Sequence, residues 1–318
     1  MTDNQSKTFD IIKISAAIII VARHCHFINE WPLFDLIVGN FSGICIPLFF
    51  MISSYLFIIK LNSNADVGCK RRVLRKSLIR LAIFFGVWYI LMIPWTWERW
   101  FSIATYRETI TAILFHCTCS GLWFIKALIF NMILIFFCNI SKRFKTFLWF
   151  IAICYYIFTS YNYIFHFINI PFSPYFHFAY HIIPCLIGLE AAEKGDFNLF
   201  KNTTGSRIVT LLLLYGLSLV SALFLPIFKI IGAWLVCSLM EQIRMPKALP
   251  YKSIRKASIL FFMLQFGVIF SFAKVEHYNP LFTNSIVRTV IVLSIVAVAS
   301  IIIIKLSSSR MKFLRYLY

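Results

Sequence analysis

Apolar residues come in long runs along this chain, broken by short polar stretches. Ten runs account for the sequence: 11–28, 36–59, 77–94, 122–140, 146–164, 177–192, 208–225, 226–239, 257–273 and 285–304. About 20 apolar residues at 1.5 Å each cover the ~30 Å hydrocarbon layer of a bilayer. The pattern therefore predicts ten transmembrane helices and an all-α, polytopic integral membrane protein. The stretch 208–239 is short for two crossings. Basic residues flank it on both sides, however, which requires an even number, and Pro226 offers the turn. The apolar stretch 109–117 is too short to span and is expected to lie at the surface or to re-enter. The first run lacks a basic leader and a small-residue cleavage site, so it reads as a retained helix. No soluble domain, long linker or repeat interrupts the chain, and 1–318 reads as one transmembrane domain.

Charge adds an orientation. Lys70, Arg71, Arg72, Arg75 and Lys76 follow the second run; Lys142, Arg143 and Lys145 the fourth; Lys194, Lys201 and Arg207 the sixth. Arg244, Lys247, Lys252, Arg255 and Lys256 follow the eighth, and Lys305, Arg310, Lys312 and Arg315 the tenth. In a ten-span topology all five clusters share one side. Because basic loops stay in the cytoplasm, both termini are expected there. That rule also accounts for a formal net charge of +19 in a chain of 318 residues that is 60% hydrophobic. No nucleic-acid-reading motif accompanies the charge, and no nucleic-acid partner is expected. The nine cysteines are odd in number and mostly inside apolar runs, so they suggest no disulfide framework. His116 with Cys117 and Cys119 hints at a metal site but lacks a fourth ligand and the usual spacing, so none is expected.

Candidate chemistry begins in the first run, which carries Lys13 and His24. Ionisable groups inside a spanning helix are costly and mark function by default. Eleven residues at ~100° each amount to three turns plus ~20°, so both side chains share one face, ~16 Å apart along the axis. A cation near the cytoplasmic end and an imidazole deeper on the same stripe suit a ligand with an anionic head and a long reactive arm. The plainer reading has Lys13 snorkelling to the headgroups and His24 serving as a hydrogen-bonded packing residue. His26 lies ~200° from His24 around the helix and faces elsewhere. Arg23 is expected to snorkel outward or to pair with Glu30 or Asp35, and Glu190 to reach the cytoplasm at the inner end of its span.

Four stretches fall in order: Lys13 and His24 with ten residues between them; Phe49-Phe50-Met51-Ile52-Ser53-Ser54; the basic run Arg71 to Lys76; and Gly121-Leu122-Trp123-Phe124. In this order and spacing the chain resembles the acyltransferase-three family of membrane-bound O-acyltransferases. Similar bacterial proteins acetylate cell-surface polysaccharides. The likeness is good through the fourth run and loose beyond it. It implies His24 as the catalytic residue and Lys13 in the place of a basic residue, usually Arg. Ser54 stands where the family has Gly, and Phe262 and Gln265 stand where it often has Tyr and His. Ser53, Ser54, Trp123 and Gln265 are accordingly expected to be accessory.

The chemistry agrees with the resemblance. Moving an acetyl group from a thioester to a sugar hydroxyl needs a base that works near neutral pH, and imidazole suits that task. His24 could deprotonate the hydroxyl or carry the acyl group covalently. Lys13, Arg71, Arg72 and Arg75 could hold the phosphates of acetyl-CoA, although membrane topology alone also explains the basic run. Trp95, Trp97 and Trp100, in the loop expected after the third span, could stack on a glycan acceptor or form an interfacial belt. The resulting expectation is an inner-membrane O-acetyltransferase with acetyl-CoA as donor substrate and no bound cofactor. Its partners would be a glycan acceptor and the lipid bilayer. A lipid-linked oligosaccharide flippase and a non-catalytic family member are the alternatives.

Overall fold

The computed structural model describes residues 1–25, 39–63, 66–101, 121–165, 177–198, 203–275, 285–309 and 311–318. They form α-helices: α1 (Asp3–His24), α2 (Cys45–Asn62), α3 (Val67–Phe101), α4 (Leu122–Ile140) and α5 (Lys142–Phe165). A short turn of helix (His177–Tyr180) precedes α6 (Ile182–Lys194), followed by α7 (Thr204–Val220), α8 (Leu225–Met240), α9 (Tyr251–Val275) and α10 (Ser285–Ser308). Each of the ten anticipated runs holds one of these helices. Six helices among the described residues are long and apolar enough, by length and composition, to cross a membrane, fewer than the ten expected. The other four fall short for plain reasons. Five charges from Asp3 to Arg23 dilute α1, and α5 opens on the basic Lys142, Arg143 and Lys145, with the side chains of 161–165 outside the described residues. At ~1.5 Å per residue, α6 (13 residues) and α7 (17 residues) are short. Even so, α5 and α7 carry exposed Phe150, Ile157, Val209, Leu212 and Leu213, the apolar outer face a lipid environment demands.

Several boundaries move. The basic run 70–76 is not a loop, because α3 begins at Val67 and runs 35 residues through Pro94 to Phe101. Lys and Arg are good helix formers, and an amphiphilic basic start extends a helix beyond its apolar part. Positions 95, 97 and 100 are consequently helical rather than in a loop. Between α7 and α8 the turn is made by Ser221, whose side chain caps the 3-10 turn Ala222–Phe224, while Pro226 opens α8. That is where a missing N–H costs nothing. The re-entrant stretch 109–117, the Cys117–Cys119 motif, His26, Glu30 and Asp35 lie outside the described residues.

The chain divides into two compact units. The first holds Met1–Ile12, Gly43–Arg80 and Lys126–Pro246. Its tightest packing is α2 on α6: a Cβ at Gly188 would lie 2.2 Å from the Met51 carbonyl oxygen. At one end of this unit the turn after α6 collects five elements. Gly195 ends α6 in the left-handed region (φ 93°), and its carbonyl accepts from Gln5 Nε2 (2.9 Å) and Tyr55 Oη (2.9 Å). Trp234 Nε1 donates to the Phe197 carbonyl (2.8 Å), and the Phe197 N–H donates to Glu241 (2.8 Å). Arg207, expected as a cytoplasmic loop cation, is 3% exposed and donates to Ser238 (2.7 Å) and Asn198.

The second unit holds Lys13–Ser42, Leu81–Ile125 and Lys247–Tyr318. Here α9 packs on α10, and the closing 3-10 turn Lys312–Leu317 folds back on α10. Trp88 Nε1 donates to the Leu317 carbonyl (3.1 Å), and Lys256 Nζ sits 4.9 Å above the Tyr318 ring.

Candidate active site

The candidate site is built in the second unit on α9. α1 is one unbroken helix from Asp3 to His24, so the eleven-residue spacing from Lys13 to His24 holds as ~16 Å along one face. Lys13 is half-buried and His24 is exposed at the helix end. The His24 ring meets the Phe266 ring of α9 at 5.2 Å between centroids. The helix end itself is held from α10: Arg288 Nε donates to the Cys25 carbonyl at 3.0 Å, and the Thr289 side chain hydrogen-bonds Cys25. A cation on the last carbonyls of a helix satisfies groups that have no partner within it and complements the dipole.

The Gly121–Phe124 motif reaches the same place. The Phe266 ring lies so close to Gly121 that a Cβ there would sit 2.4 Å from it. Glycine at 121 thus has a packing reason. Phe124 meets Phe262 at 5.2 Å, and Trp123 is half-buried with its ring edge-on to Phe124. One turn beyond Phe266, Trp95 lies along Gly267 and donates from Nε1 to Ser271 Oγ at 2.8 Å. Gln265 is wholly buried beside Phe266. Over three turns of α9, from Phe262 to Ser271, the structure brings together His24, Trp123's segment, Gln265 and Trp95. The side chains of Trp97 and Trp100 lie outside the described residues.

The remaining sequence candidates belong to the first unit. Ser54 is buried, and its Oγ donates to the Cys185 carbonyl of α6 at 2.7 Å, so it bridges two helices. Ser53 is half-buried, and Arg71, Arg72 and Arg75 are exposed on the first turns of α3. Glu190 does not simply reach solvent. Its carboxylate pairs with Lys145 (3.1 Å) and accepts from Trp149 Nε1 (3.4 Å), while Lys145 also holds Glu193 at 2.8 Å.

Sequence reasoning passed over two residues. Phe266 is one of many phenylalanines in apolar runs, and its contacts on His24 and Gly121 come from elements more than a hundred residues away. Arg288 carried one signal, a cation three residues into an otherwise apolar run, which an intramembrane-charge argument could have found.

The acyltransferase domain family model matches residues 7–305, nearly the whole chain. No curated protein and no solved structure matches.

Proposed function

The chain belongs to the acyltransferase family that this match defines, and we propose that it is an inner-membrane O-acetyltransferase modifying a surface polysaccharide or its lipid-linked precursor. The donor is cytoplasmic acetyl-CoA, and the acceptor is a sugar hydroxyl. One observation carries the assignment of the site: His24 and the Gly121–Phe124 segment, distant in sequence, meet on the same turn of α9 at Phe262 and Phe266. In the proposed topology the chain crosses the membrane ten times with both termini in the cytoplasm. Lys13 then faces the cytoplasmic side, and His24 lies toward the outside on the same stripe. Lys13 holds a donor phosphate as a point charge, with Arg71, Arg72 and Arg75 adding to the positive field that draws the anionic head in. Trp123 flanks the site, Ser53 and Ser54 are accessory within the first unit, and Trp95, Trp97 and Trp100 offer rings to the acceptor.

His24 acts as the base. The acceptor hydroxyl oxygen attacks the thioester carbonyl carbon, His24 takes its proton, the new C–O bond forms and the C–S bond breaks. The coenzyme A thiolate leaves and receives the proton from His24. Loss of a general base typically costs ~10²-fold or more. The test is acetylation of the surface glycan, read by mass spectrometry, in cells carrying wild type, His24→Ala or His26→Ala at matched membrane levels. His24→Ala should lose acetylation and His26→Ala should keep most of it. Normal acetylation by both variants would remove α1 from the chemistry.

A further inference from the structure

Gln265 is 0% exposed. Its Nε2 donates to the carbonyl of Phe262, one turn back on the same helix, at 2.9 Å. Its Oε1 has no donor among the described residues. The first bond fixes which end of the amide is spare, since turning the amide over would set two carbonyl oxygens against each other. What remains is a buried acceptor with nothing to accept. Leucine or methionine would fill a similar volume without that loss. The oxygen therefore points to a hydrogen-bond donor that arrives from outside the chain.

The surroundings decide which donor. Phe261, Phe262 and Phe266 are buried on the same stretch of α9. The ring of Phe262 lies against Phe124, and that of Phe266 lies against His24. A sugar carries a hydroxyl on nearly every carbon and would need several polar partners among these rings. A chain of methylenes broken by an isolated amide needs apolar walls and a single acceptor. The arm that carries the acyl thioester of coenzyme A has two amides, and the one nearer the thioester, set between two ethylene segments, has that constitution. On the acyltransferase reading above, we infer that Gln265 Oε1 accepts a hydrogen bond from a pantetheine amide N–H of acetyl-CoA and so holds the thioester toward His24. The amide is fully enclosed, so admitting the arm requires a neighbouring side chain to turn aside.

The experiment compares equilibrium binding of acetyl-CoA with that of 3′-phospho-ADP, the donor's head without its arm, to the full chain in lipid nanodiscs. Gln265→Leu should weaken acetyl-CoA by roughly three- to tenfold, the value of one hydrogen bond, and leave 3′-phospho-ADP unchanged. Gln265→Met should do the same and guards against a leucine-specific packing fault. In turnover the donor KM should rise while the acceptor KM stays put. Unchanged acetyl-CoA binding in both variants, equal weakening of both ligands, or a rise confined to the acceptor KM each overturns the inference. Wild-type protein that binds no acetyl-CoA would instead overturn the proposed function itself.

Discussion

At position 188 there is no room for a side chain: a methyl group would fall 2.2 Å from the Met51 carbonyl oxygen and 3.1 Å from the Ser54 Cβ. Both neighbours belong to a helix backbone or its first side-chain atom, so neither can swing away. Gly188→Ala should therefore destabilise the first unit by about 1–3 kcal/mol, seen as a lower thermal midpoint in detergent or nanodiscs. Ser54→Ala keeps the Cβ and the helix, removes the bond to the Cys185 carbonyl, and should cost less, about 0.5–1.5 kcal/mol. A midpoint for Gly188→Ala at or above that of Ser54→Ala would contradict the packing account. The serine at 54, which departs from the resemblance, fits its surroundings, since the close approach of the two helices is made by the glycine on the other one.

Among the elements, the end of α1 matters most to the proposed chemistry. His24 is its last residue, and the next carbonyl, that of Cys25, is tied to Arg288 on α10. Arg288 is a positioning residue in this account: it touches the backbone that carries the imidazole. Arg288→Met should lower kcat by roughly three- to tenfold with the acceptor KM and membrane level unchanged, and Arg288→Lys should recover part of the loss. Full turnover by the Met variant would mean that α1 holds its end without help. The extension of α3 is an element-scale effect of another kind. Residues 70–76 are basic because of where they lie and helical because nothing in Val67 to Arg80 breaks a helix.

On the scale of the whole molecule, the lysines and arginines that follow alternate apolar runs carry the proposed orientation, with both termini in the cytoplasm. A reporter fused after Tyr318 should be active only in the cytoplasm; periplasmic activity would invert the topology. The hub beside the turn after α6 adds a pH dependence. Burial pushes the Glu241 carboxyl up to about 7 from an ordinary 4.5, with Asp196 adding to the rise, while the Phe197 N–H, Gln5 and Arg207 pull against it. The native state thus binds this proton more tightly than the unfolded chain does. Stability should fall as pH rises from about 4.5 through about 7, with the loss complete above that. Glu241→Gln removes the charge and should flatten the thermal midpoint between pH 6 and 8, with its largest gain at pH 8. An unchanged slope would show that Glu241 does not control it. Gln5 and Asn4 bind the same hub, Asn4 through the Ile243 carbonyl (3.0 Å) and the Met245 N–H (2.9 Å). A change there therefore acts on α1, α6 and α8 together.

The sequence by itself determined the helical, membrane-embedded class and the approximate place of the ten long helices among the described residues. Long apolar runs have few ways to satisfy their backbone in lipid, so period and length suffice. It also determined that Lys13 and His24 share a helix face, because that follows from the turn of an α-helix alone. Only the tertiary structure decided what meets His24. Phe266 of α9 meets the ring, Arg288 of α10 holds the next carbonyl and Gly121, just before α4, backs Phe266, and no local rule selects one phenylalanine or one arginine from an apolar run. The same holds for Arg207, Glu190 and Glu241. As charges near helix ends, Arg207 and Glu190 read as solvated, and nothing in the sequence singled out Glu241. Whether each found a Ser238, a Lys145 or a buried turn around Phe197 depended on which helix packed beside it. Charge and hydropathy are properties of a position in the chain, whereas partnership is a property of packing.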